Sequence, residues 1–122
     1  MMQSRAYIIN ISLCLGVLLL ASCGKQYTAE QTVKDFVAEN MKDGVETKRL
    51  DFGDLGTSRH IKDSLVAQMR KNGSELFKSN IPYGKVPAGD VYYLRMKYLH
   101  KGDTLQNTFY LDQELKEVIA FK

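Results

Sequence analysis

The feature that most constrains this chain is a pair of alternating runs around one turn near its C-terminus. Val91 to His100 is rich in tyrosine and branched residues, a similar run ends at Leu111, and Gly102-Asp103 between them reads as a hairpin turn pair. With those two residues as the loop, Met96 faces Phe109, Leu94 faces Leu111 and Tyr98 faces Asn107. Strand side chains alternate between faces. One side therefore carries Tyr92, Leu94, Met96, Tyr98, Leu105, Phe109 and Leu111, and the other Tyr93, Arg95, Lys97, Gln106, Thr108 and Tyr110. A one-residue slip would mix the two sets, so the faces are well specified.

Asp112-Gln113-Glu114 turns the chain into a last strand, Leu115 to Lys122. A three-residue loop buries Leu115, Ile119 and Phe121, with Glu117 among them; a two-residue loop would bury Val118 and Ala120 instead. The first is preferred. Upstream, Thr28-Ala29-Glu30-Gln31 reads as a capping box. Ala29, Val33, Phe36, Val37 and Met41 follow at helical spacing and Gly44 is a natural stop, predicting a helix over Thr28 to Asp43. Val45 to Phe52 reads as a short strand and Gly53 to Gly56 as a break. Thr57 or Ser58 caps a second helix with buried stripe Ile61, Leu65, Val66 and Met69, ended or interrupted by Asn72-Gly73. Leu76 and Phe77 suggest a further helical turn, and Ile81 to Asp90, with two prolines and two glycines, a loop. The expected class is α+β: two main helices packed on one face of a curved antiparallel sheet of three to four strands, in the order α-β-α-β-β-β.

The first residues have a different character. Arg5 precedes an apolar run from Ala6 to Leu20 that ends in small residues, the layout of a secretory signal. The run falls short of the ~20 apolar residues a membrane span needs, and Asn10 and Ser12 interrupt it. Its end, Leu20-Ala21-Ser22-Cys23, closely resembles the lipobox of bacterial lipoproteins. The resemblance implies removal of residues 1–22 and transfer of a diacylglyceryl group to the Cys23 sulfur, with acylation of the new amino group. Cysteine supplies the nucleophilic sulfur such a thioether requires, and small Ala21 and Ser22 leave the backbone open to the processing enzymes. Each buried CH₂ contributes ~0.8 kcal/mol, so two or three chains hold firmly to a membrane. The expected organisation is a signal peptide at 1–22, a lipidated tether at 23–27 and a single α+β domain at 28–122. The tether Gly24-Lys25-Gln26-Tyr27 has no acidic cluster and no aspartate stands directly after Cys23, which by resemblance points to the outer membrane, facing the periplasm.

Charge and cysteine content narrow the function classes. The net charge of +3 falls to +2 once Arg5 leaves with the leader. The remaining cations are scattered among acids, without the concentrated basic footprint of a nucleic-acid binder. Cys14 leaves too, so the exported part has no disulfide and depends on an ordinary core. A domain of this size buries roughly two-thirds of its unfolded surface, which suffices.

No catalytic signature stands out, and no cofactor is expected. Neither His60 nor His100 has a Cys, Asp or Glu at metal-ligand spacing, so both read as exposed and no metal site is expected. No serine has a G-x-S-x-G context and no phosphate loop is present. The order of elements resembles the cystatin-like and NTF2-like group, and the small lipoproteins of unknown function common in Bacteroidota. In NTF2-like enzymes the concave face holds acid-base residues, which would make Tyr98, Asn107 and Glu117 a candidate pocket, beside His100. The element count is low for a complete NTF2-like cone. A cystatin-like inhibitor would carry a Gln-x-Val-x-Gly loop, which is absent.

The other sheet face carries Val91, Tyr93, Leu99 and Tyr110 among Arg95, Lys97 and Gln106. Exposed tyrosine and arginine are typical of partner-binding surfaces, and Tyr93, Arg95 and Tyr110 are the candidates. The expected function is a non-enzymatic, membrane-anchored module that binds a protein, peptide or envelope component. The alternative is a small NTF2-like enzyme or ligand carrier using the concave pocket.

Overall fold

A computed structural model describes residues 24–122. The leader and the lipobox Cys23 lie outside the described residues.

Residues 24–40 are helical (α1) and bury the expected stripe of Ala29, Val33 and Phe36, with Val37 half-buried. Both ends differ from the sequence expectation. Residues 24–27, expected as a tether, are helical, and Thr28 is an interior residue whose hydroxyl donates to the Gly24 carbonyl at 2.8 Å. Gln26 fastens this turn to the neighbouring sheet: its amide donates to the Gly53 carbonyl at 3.0 Å, and its carbonyl oxygen accepts from the Leu55 N–H at 2.7 Å. At the other end α1 stops at Asn40 because the next residue is recruited into an isolated β-bridge, Met41 with Phe77. The segment at Leu76 and Phe77 is accordingly a turn followed by an extended residue, and Phe77 is deeply buried.

The sheet is open and antiparallel. Its strands are β1 (Lys48–Phe52), β2 (Gly56–Ser58), β3 (Val91–His100), β4 (Asp103–Leu111) and β5 (Val118–Phe121), in the order β1-β3-β4-β5, with β2 pairing β3 beyond the end of β1. The α+β class is as expected, with one strand more than the sequence suggested. Thr57 and Ser58, expected as helix caps, belong to that extra strand and pair with Tyr92 and Val91. Helix α2 (Asp63–Asn72) begins five residues later, with Lys62 as N-cap.

In the β3–β4 hairpin Leu94 pairs with Phe109, Met96 with Asn107 and Tyr98 with Leu105. The turn is Lys101-Gly102, with φ of 50° and 82°, one residue earlier than expected. Positive φ at both central residues is the type I′ arrangement, whose twist matches the flanking strands. Moving the turn by one residue shifts the pairing by two, which preserves both faces.

The helices do not share a face. α1 covers Leu94, Met96, Tyr98, Phe109, Leu111 and Phe121. There the rings of Phe77 and Phe121 lie 4.6 Å apart and those of Phe36 and Phe109 5.8 Å apart, edge to face. α2 packs Val66 and Met69, with the preceding Ile61, against Val91, Ile119 and Ala120 on the opposite side. Leu65, expected in the buried stripe, is 49% exposed. This second helix corrects the one-face expectation and explains β5. All four of its residues are buried, because a strand covered on both faces reads as a continuous apolar run. A bulge supplies the extra residue: Tyr110 pairs with Ala120 and Leu111 with Val118, leaving Ile119 between them. Neither simple alternation of the last strand holds.

Candidate functional site

The outer sheet face is only partly covered. α2 buries its Val91 end, and Tyr110 is half-buried against the same cluster. Farther along β3, Tyr93 is half-buried, Arg95 and Lys97 are exposed, and Leu99 is half-buried. Tyr93 pairs with Tyr110 on β4 and with Gly56 on β2. A Cβ at position 56 would collide with the Tyr93 ring, at 2.6 Å from Cε1, so glycine here is what lets the ring lie flat across the edge strand. The Arg95 guanidinium sits 5.4 Å from the centre of that ring. A cation so placed is attracted to the ring quadrupole, and each side chain limits the other's freedom. Next to this pair, Asp51, Phe52, Gly53, Arg95, Lys97 and Gln106 line a shallow depression of about 260 Å³. Asp51 lies opposite Lys97 in the β1–β3 ladder, and Lys48 opposite Leu99. Three cations and one acid thus surround the open patch.

Of the candidate partner-binding residues, Tyr93 and Arg95 stand together on the open part, whereas Tyr110 reaches under α2. Val91, expected on the same exposed path, is fully buried. Thr108, also expected outside, is buried; its backbone exchanges both hydrogen bonds with Lys122.

The candidate pocket is brought together only in part. The Tyr98 hydroxyl donates to the Asn107 side-chain carbonyl, and the Asn107 amide donates to the Lys122 carbonyl at 3.2 Å. Burial pushes the Tyr98 phenol above its ordinary pKa. Glu117 is not part of this group. It lies before β5, exposed, while Asn107 meets the other end of that strand at Lys122. Five residues of extended chain separate Glu117 from Lys122, roughly 15 Å. The physical reason is the bulge and the Leu115 turn (φ of 59°), which rotate Glu117 out toward Gly84. His100 lies beside Glu46, its Nδ1 3.0 Å from that carbonyl oxygen. His60 is exposed, at an open groove of about 650 Å³ between the start of α2, residues 85–88 and the turn at 112–117. Among the described residues no cluster of His, Cys, Asp or Glu has the geometry of a metal site.

Two residues that sequence reasoning passed over lie on the α1 side. Lys34 and Arg49 both approach the Phe52 ring, at 5.9 Å and 5.6 Å from its centre. No local motif marks them, since one belongs to a helix and the other to an edge strand.

No protein family, curated protein or solved structure matches this chain. Among the described residues no helix is long and apolar enough to cross a membrane.

Proposed function

We propose that this chain is a lipid-anchored module of the bacterial cell envelope, held at the outer membrane by Cys23. On this reading it binds an acidic protein, peptide or other envelope component through the open part of its outer sheet face. The anchor rests on the leader and on Leu20-Ala21-Ser22-Cys23. The binding role rests on one observation: Arg95 stacked at 5.4 Å on Tyr93, beside Lys97, on a face that α2 leaves uncovered. Tyrosine and arginine are the residues that dominate interface energies. A pair already held in place loses less side-chain entropy on binding. The excess of cations over acids favours an acidic partner and speeds its approach. This role needs no catalysis and no cofactor.

The test is recovery of partners from the native envelope with the lipidated protein as bait, followed by mass spectrometry. A defined component should appear with the parent protein and be lost with a Tyr93→Ala/Arg95→Glu variant. Equal recovery by both proteins would remove the sheet face from the account. Labelled fatty acid should appear on the parent protein and be absent from Cys23→Ser; label on neither would remove the anchor.

A further inference from the structure

On the α1 side of the sheet, opposite the Tyr93 face, a cavity of about 240 Å³ opens between α1 and β1. Its chemistry is divided. Lys34 from α1 and Arg49 from β1 supply two positive charges, both drawn toward one Phe52 ring. Among the described residues neither has a carboxylate within ion-pair distance. The ring quadrupole attracts both cations and cancels neither charge. Val37, Met96 and Tyr98 form the apolar side; Met96 and Tyr98 belong to the main core, with Val37 packed against it. The Tyr98 hydroxyl already donates its proton to Asn107, so the phenol has no free donor for a ligand and meets the cavity with its ring.

The geometry points to a binding site for a small organic carboxylate with a short apolar tail. The carboxylate sits between Lys34 and Arg49, where charge-assisted hydrogen bonds are the strong kind. The tail lies against Val37, Met96 and Tyr98. At ~30 Å³ per water-sized unit the space takes about eight non-hydrogen atoms, the size of a six-carbon acid. A purely inorganic anion would leave the apolar side wet, and a neutral chain would leave two cations unneutralised. Because this cavity and the Tyr93–Arg95 patch lie on opposite sheet faces, the inference stands independently of the partner-binding role.

Titration of the purified full chain with sodium hexanoate, read by methyl NMR at Val37 and Met96, tests it. Saturable shifts at these methyls are expected, weakening as salt is raised. Hexan-1-ol and inorganic phosphate at equal concentration should give no saturable shift. A Lys34→Gln/Arg49→Gln variant should bind hexanoate about tenfold more weakly or worse. Ala38→Leu, which fills the cavity from an exposed helical position and leaves both charges, should bind as weakly. Thermal unfolding identifies which variants remain folded, and either folded variant suffices. Absence of a saturable hexanoate shift, equal saturation by the alcohol or by phosphate, or parent-like affinity in a folded variant would overturn the site.

Discussion

The guanidinium of Arg70 lies 4.9 Å from the centre of the Tyr83 ring and fastens α2 to the free edge of the sheet. Its Nε donates to the Ile119 carbonyl at 2.9 Å and its Nη2 to the Gly84 carbonyl at 2.8 Å, while the Gly84 N–H donates to the Val118 carbonyl at 3.0 Å. β5 is an edge strand, and edges left open invite pairing with other chains. Here one arginine and one loop segment occupy that edge, and the carbonyl the arginine takes belongs to Ile119, the residue the bulge leaves unpaired.

Arg70→Met should therefore lower stability by about 1–3 kcal/mol, because two carbonyl groups lose a charged donor. Arg70→Lys should recover only part of this, since an ammonium cannot reproduce the two-pronged geometry. Urea unfolding of the three proteins measures the order; a parent-like Arg70→Met would remove the clamp from the account.

Two phenols give the fold a sensitivity to alkali. Burial raises the pKa of Tyr83 and of Tyr98, and at Tyr83 the Arg70 charge works in the opposite direction. The folded state thus holds these protons more tightly than the unfolded state, whose tyrosines ionise near ~10. The associated stability is fully present below ~10 and is lost as pH rises through the higher folded values. Between about pH 9 and about pH 11, Tyr98→Phe should lose less unfolding free energy than the parent. In Arg70→Met the Tyr83 phenol should ionise at still higher pH, which ultraviolet titration can follow.

The side of α2 that touches the sheet is open to a direct comparison. Leu65→Ser should change stability by no more than about 0.5 kcal/mol, as exposed positions usually do. Met69→Ala, four residues on and buried, should cost about 2–5 kcal/mol. Comparable losses in thermal or urea unfolding would mean that the helix is rotated relative to this packing.

The β3–β4 turn predicts opposite signs at adjacent positions. Gly102 has φ of 82°, so Gly102→Ala should destabilise by about 1 kcal/mol or more. Lys101→Asn places a residue tolerant of positive φ before that glycine and should stabilise by a few tenths of a kcal/mol. A turn at Gly102-Asp103 would give Lys101→Asn no such advantage, so melting temperatures separate the two registers.

Gly84 offers a packing test of the loop that covers β5. A Cβ at this position would lie 2.6 Å from the Glu117 Cβ. Gly84→Ala should push the loop from the strand and weaken the Gly84–Val118 hydrogen bond, at a cost of about 1–3 kcal/mol. Faster hydrogen exchange at the Gly84 amide, relative to β3, is the expected signature.

The candidate site was legible to the extent that it rests on alternation. Tyr93 and Arg95 were placed on one face, and Tyr98 on the other, by period two alone, and a pairing error of two residues left these assignments intact. Glu117 was misplaced because its position depends on a bulge and on a positive-φ leucine, neither of which has a local sequence signal. No local pattern marks Lys34 and Arg49, because their common neighbour, Phe52, becomes common only when α1 crosses the sheet.

What the amino-acid order determined alone is the set of local periodicities: the apolar stripe of α1, the two faces of the β3–β4 hairpin, and the lipobox-like run that precedes them. Each depends on neighbours a few residues apart, which is the range over which backbone geometry correlates side chains. Only the tertiary structure decided that α2 lies on the opposite side from α1, that Val91 is buried while Tyr93 stays accessible, and that Thr57 and Ser58 join a strand. Those outcomes follow from competition among distant segments for the same apolar surface, with Arg70 and the Ile119 bulge deciding how the last edge is closed.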